Sequence, residues 1–177
     1  MGLNLYKSDF DEIKNTKVIL QVWDEYEEMY RPKEYSRSEI IQLHRDMWKY
    51  IADELENFSK TREGNTEYPI SVYGLKWDFI YDHNYDEVTN RCFLCEYAEQ
   101  IDLIHGSRTA DMCHYCPLYW GKAEEMYDEY YCEQSKKEDG LWWLCKEAAW
   151  SGNLKLASEI ARIISNLPEI TKEREVK

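Results

Sequence analysis

From Ser36 to Phe58 the apolar residues Ile40, Leu43, Met47, Ile51, Leu55 and Phe58 recur at steps of three and four, one stripe of a helix. Ser36 followed three positions later by Glu39 is a capping box, in which each side chain satisfies a backbone N–H at the helix start. A second helical region begins with Asp139 and Gly140 and runs from Leu141 to Trp150. Gly152 breaks it, and Asn153 caps a further helix carrying Leu154, Ala157, Ile160, Ala161, Ile164 and Leu167, which Pro168 ends. Neither stripe can be satisfied alone, so these helices are expected to pack on one another.

The remaining pattern is less regular. Ser8 or Asp9 offers a cap, and Ile13, Ile19, Leu20, Val22, Trp23, Tyr26 and Met29 follow at spacings that predict a helix over 8–30, closed by Pro32. Thr16 to Val22 taken alone is β-branched enough to read as a strand. Between Lys60 and Asn90, Gly64, Pro69 and Gly74 punctuate a run containing Tyr68, Tyr73, Trp77, Phe79, Tyr81 and Tyr85. Periodicity is lost there, which predicts a long connector pinned by its rings, with one short strand near Ile70 to Tyr73. His44 reads as a core-edge histidine and His83 as a solvated loop residue. The fold expected is a mainly α single domain over 1–177: a helical body at about 8–58 and 139–167, a connector at 60–90 and a metal lobe at 91–134.

The chemistry concentrates in that lobe. Cys92-Phe93-Leu94-Cys95 is followed, seventeen residues on, by Cys113-His114-Tyr115-Cys116. Two Cys-x-x-Cys pairs at such a spacing are a zinc signature, because each pair grips one tetrahedral ion from a single turn. Cys92, Cys95, Cys113 and Cys116 are the most economical ligands, with Cys132, His105 and His114 as substitutes. Cys145, after Leu141-Trp142-Trp143-Leu144, reads as a buried thiol. A shell of four thiolates makes zinc a poor Lewis acid, so the metal is expected to be structural. Neither the deaminase pattern nor His-Glu-x-x-His occurs, and a thioredoxin-like reading lacks the strand–helix–strand context. An iron–sulfur cluster takes the same ligands, and a disulfide framework uses the same residues, so both stay as alternatives.

Composition narrows the partners. The chain has 177 residues, 44% hydrophobic and 15% aromatic, enough for a core, with a formal net charge of −13. That charge repels phosphate backbones and favours basic surfaces. Over residues 86–140 thirteen acids stand against five bases, which argues against a zinc ribbon that reads nucleic acid. Lys33, Arg37, Arg45 and Lys49 are the visible start of a basic patch, more simply a solvated helix face. In the segment 124–131, Glu124, Glu125, Tyr127, Asp128, Glu129, Tyr130 and Tyr131 interleave acids with aromatics. They form a candidate partner-facing strip whose simpler reading is an amphipathic helix with its acids in water. No uninterrupted apolar segment has the length to span a bilayer, so a cytoplasmic protein is expected.

Leu43-His44-Arg45-Asp46-Met47-Trp48-Lys49-Tyr50-Ile51-Ala52, Cys92-Phe93-Leu94-Cys95-Glu96-Tyr97-Ala98, Cys113-x-x-Cys116-Pro117-Leu118 and Asn166-Leu167-Pro168-Glu169 together resemble a group of small phage- and prophage-encoded proteins of unassigned function. The likeness spans most of 36–169 and leaves the N-terminal 35 residues outside. It implies a virus-encoded protein in a bacterial cytoplasm and carries over no catalytic residue. The function expected is a zinc-binding inhibitor of a host defence component, anti-CRISPR-like or another anti-defence factor, that covers a basic surface and binds no nucleic acid directly. The alternative is a metal-dependent enzyme or nucleotide-binding protein using the Tyr/Trp-rich loop as a pocket, with His44, His83 or His105 converging on carboxylates.

Overall fold

The chain runs α1 (Lys7–Asn15), β1 (Val18–Asp24), β2 (Met29–Tyr35), α2 (Arg37–Thr61), α3 (Val72–Asp82), α4 (Phe93–His105), α5 (Leu141–Trp150) and α6 (Leu154–Ser165). This is the order in the computed structural model, which describes residues 7–61, 69–86, 88, 92–105, 115–120 and 140–170. The described part is mainly helical, with a two-stranded sheet.

The long helix α2 is the element on which the others pack. Its start is the capping box: the Ser36 N–H donates to Glu39 Oε2 at 2.7 Å, and the Glu39 N–H returns to Ser36 Oγ at 3.3 Å. Ile40, Met47, Ile51 and Leu55 are buried, with Leu43 and Phe58 packed against the same core. As expected, α6 lies along α2. Small residues let the two backbones approach: Ala52 on α2 and Ala157 and Ala161 on α6 have no exposed surface, and Ser158 Oγ donates to the Ala52 carbonyl at 2.8 Å. Arg162 at the flank reaches Asp53 at 3.0 Å and also Glu56. The break between α5 and α6 falls at Gly152, whose φ of 83° is left-handed and natural to glycine, and Asn153 Oδ1 then accepts from the Leu156 N–H. Cys145 is fully buried and donates to the Ala157 carbonyl at 3.4 Å.

Two expectations are corrected. The single helix over 8–30 is instead α1 followed by an antiparallel hairpin in which Val18 pairs with Tyr35 and Asp24 with Met29. The β-branched run decides the outcome: Val18 and Leu20 alternate inward while Ile19 and Gln21 face out. Asp24 Oδ1 closes the turn by accepting from the Tyr26 and Glu27 N–H groups, and Glu28 takes a positive φ of 50°. Residues 84–86 add to the far side of β1, through Trp23 N–H to the Asn84 carbonyl and Asp86 N–H to the Gln21 carbonyl. Pro32, read as a helix terminator, sits opposite Gln21 within β2.

The connector with a strand at 70–73 is instead the helix α3, capped by Ser71 Oγ accepting from the Gly74 N–H at 3.1 Å. Val72, Leu75, Lys76, Phe79 and Ile80 form its buried face, at helical spacing. Tyr73, Trp77 and Tyr81 fall on the opposite face and are exposed, so a helix that carries aromatics on both sides presents no clean period. His83 is its C-cap, stacked on Phe79 with ring centroids 3.9 Å apart.

Candidate metal centre

Cys92 sits just before the first turn of α4, its carbonyl accepting from the Glu96 N–H, and Cys95 lies inside that turn. The aligned peptide dipoles of a helix start favour negative charge, so this is a good place for a thiolate. The hydrogen bond from Cys95, with His44 beside it, holds the Cys92 thiol well below its ordinary range in spite of burial. His44, on α2, has no exposed surface, and its desolvation keeps the imidazole neutral. Its Nδ1 lies 3.9 Å from Cys92 Sγ, and its Nε2 is buried with no partner among the described residues.

The second cysteine segment approaches the same place. Trp120 Nε1 donates to Cys116 Sγ at 3.3 Å, and the Trp120 ring meets the His44 ring edge-on with centroids 6.2 Å apart. The segment is tied to α2 and to the chain after α6. Ile170 N–H donates to the Pro117 carbonyl, Tyr119 N–H donates to the Pro168 carbonyl, and Arg37 reaches both the Pro117 and Ile170 carbonyls. Arg37 and Arg45, read from sequence as a solvated face, are thus spent on holding this corner, since Arg45 contacts Glu169 at 3.5 Å and the Leu167 carbonyl.

Of the expected ligands, Cys92, Cys95 and Cys116 are described, Cys92 buried and the other two half-buried. Cys113 and the possible substitutes Cys132 and His114 lie outside the described residues, as does the strip Glu124, Glu125, Tyr127, Asp128, Glu129, Tyr130 and Tyr131. Among the described residues no three His, Cys, Asp or Glu side chains form a group that could hold a metal by themselves. His105 points elsewhere, its Nε2 3.2 Å from Thr16 Oγ1, and His83 Nδ1 lies 2.8 Å from the Phe79 carbonyl oxygen. The three described histidines therefore occupy three separate environments instead of one concave site.

Lys76 is a buried neighbour that sequence reasoning missed. It is 5% exposed, and its Nζ lies 4.0 Å from the centroid of Trp142, 5.2 Å from Trp48 and 5.8 Å from Tyr73. Rings replace water around the ammonium, and its charge adds to those favouring a thiolate at Cys92. The exposed hairpin is the other feature that a helical reading of 8–30 concealed. Trp23 and Tyr30 meet edge-on at 5.2 Å, Tyr26 at the turn is 99% exposed, and Asp24, Glu25, Glu27 and Glu28 surround them. No described helix is long and apolar enough to cross a membrane. No protein-family model, curated protein or solved structure matches the chain.

Proposed function

We propose that the protein is a metal-stapled binding protein: structural zinc held by Cys92, Cys95, Cys113 and Cys116 fixes an acidic helical domain that docks on a basic surface of another protein. One observation carries the metal reading. A cysteine from each Cys-x-x-Cys pair lies against one of two touching rings, Cys92 against His44 and Cys116 against Trp120. One tetrahedral ion gripped by both pairs is a physical reason for two segments separated by seventeen residues to approach the same place.

The binding reading is supported by the net charge of −13 and by the exposed hairpin turn, where aromatic anchors stand among carboxylates. The strip at 124–131 is the second candidate contact. With the resemblance to phage-encoded proteins, the partner proposed is a component of bacterial defence whose basic groove otherwise holds nucleic acid.

Elemental analysis of purified protein tests the metal: about one zinc per chain is expected, lost on Cys92→Ser, Cys95→Ser, Cys113→Ser or Cys116→Ser and kept on Cys145→Ser. Retention of full zinc in Cys113→Ser overturns the ligand set. Pull-down from bacterial lysate across a salt series tests the binding, because a carboxylate-driven interface weakens as ions screen it. Recovery of no basic partner, or capture independent of salt, overturns that half.

A further inference from the structure

We propose that His44 and Trp120 form the outer shell of the metal centre, each giving one ring N–H to a cysteine of a different pair. This rests on the metal reading above and extends it from the ligands to the residues that hold them. His44 Nδ1 approaches Cys92 Sγ at 3.9 Å, Trp120 Nε1 approaches Cys116 Sγ at 3.3 Å, and the two rings touch at a near-right angle of 81°. The donors come from different elements, one from the first half of α2 and one from the segment that Arg37 ties down.

Chemistry fixes the direction of both contacts. An indole nitrogen can only donate, so the Cys116 sulfur is the acceptor. A metal-bound thiolate offers only lone pairs, so the His44 nitrogen that faces Cys92 carries the hydrogen. That tautomer leaves a lone pair at the buried Nε2 rather than an orphaned donor. Four thiolates on zinc leave a net charge of about −2 to be held in a largely dry site. N–H groups aimed at sulfur spread that charge and hold the ligands in place, the role outer-shell donors have around metals generally.

The 3.9 Å between His44 Nδ1 and Cys92 Sγ fits an N–H···S contact, and the cobalt spectrum described next separates that role from direct ligation.

The test uses the full zinc-loaded chain and three variants. Trp120→Phe keeps a ring and removes the N–H. His44→Leu removes the donor, and His44→Asn restores an amide nitrogen near the Nδ1 position. The readouts are the rate of zinc transfer to a chromophoric chelator and, after cobalt replacement, the sulfur-to-cobalt charge-transfer band. Trp120→Phe and His44→Leu are expected to lose zinc about tenfold faster and to shift that band to lower energy, with the cobalt d–d bands unmoved. His44→Asn is expected to stay close to wild type, which a purely packing role would not produce. Wild-type release rates and bands in both Trp120→Phe and His44→Leu overturn the inference and leave the zinc reading standing. A change of d–d bands in His44→Leu overturns it in favour of His44 as a ligand. A wild-type chain that takes up neither metal overturns the zinc reading, and this inference with it.

Discussion

Replacing Arg37 by Met tests how the second cysteine segment is held to the rest of the fold. The side chain is 13% exposed, and Nη2 donates to the Pro117 carbonyl at 3.1 Å and to the Ile170 carbonyl at 2.8 Å. Methionine keeps the stem and its packing and removes both bonds. Each is a hydrogen bond from a charged donor, worth about 1.5 kcal/mol. The Nη1 contact to Glu169, at 3.4 Å, adds about 0.5 kcal/mol at most, because Glu169 is one-third exposed and Arg45 also holds it. The sum is a loss of roughly 3 kcal/mol, which at a urea m-value of about 2 kcal/mol/M moves the unfolding midpoint down by roughly 1.5 M. Arg37→Lys retains the charge but cannot fork across two carbonyls, so about half that loss is expected. Urea titrations followed by tryptophan fluorescence and by circular dichroism measure both. A Met variant within about 0.5 kcal/mol of wild type, or a Lys variant equal to Arg, would refute the clamp.

Ala161→Leu is expected to cost about 1–3 kcal/mol in the same titration, since Ala161 is fully buried on the helix packed against α2 and three more carbons overfill the site. Ser36→Ala should cost about 1 kcal/mol through loss of the cap on α2, visible as reduced helicity and a lower midpoint. Burial pushes the Cys145 thiol from its ordinary value of 9 up to about 12 and the Tyr97 hydroxyl from 10 up to about 12. Both folded values are raised, so the stability these groups confer is full below pH 9 and is lost as pH climbs towards 12. Stability measured against pH should fall over that window, and Cys145→Ala together with Tyr97→Phe should flatten the fall. An unaltered slope in the double variant would refute the assignment.

The parts of the fold written in short-range chemistry were legible in the sequence. Ser36 with Glu39, the stripe of α2 and the Gly152–Asn153 break all depend on residues a few positions apart, and each is found where expected. The hairpin was hidden because Ile19, Val22, Trp23, Tyr26 and Met29 satisfy a helical period as well as a strand. The β-branched run favours the strand, and residues 84–86, some sixty positions on, add to β1 in a contact that no local pattern shows. Helix α3 was hidden by its exposed Tyr73, Trp77 and Tyr81, which erase the contrast between faces. At the candidate site the cysteine spacing was readable, but the environment of Cys92 is set by His44 from 48 positions away, and no local pattern encodes that. Trp120, four residues after Cys116, could have been noticed as an indole close in sequence to a thiol.

The place of Pro32 limits what the hairpin can do. Gln21 and Trp23 direct their backbone groups to residues 84–86, so their partners Pro32 and Tyr30 direct theirs to the other side of β2, which no described strand covers. A strand arriving there meets an imide with no hydrogen to give, flanked by Arg31 and Lys33. The sheet therefore resists growing into an amyloid-like ladder or recruiting an extended peptide by main-chain pairing. On the binding role proposed above, recognition through this hairpin would fall to the rings and carboxylates at its turn, reading shape and charge instead of forming a backbone zipper.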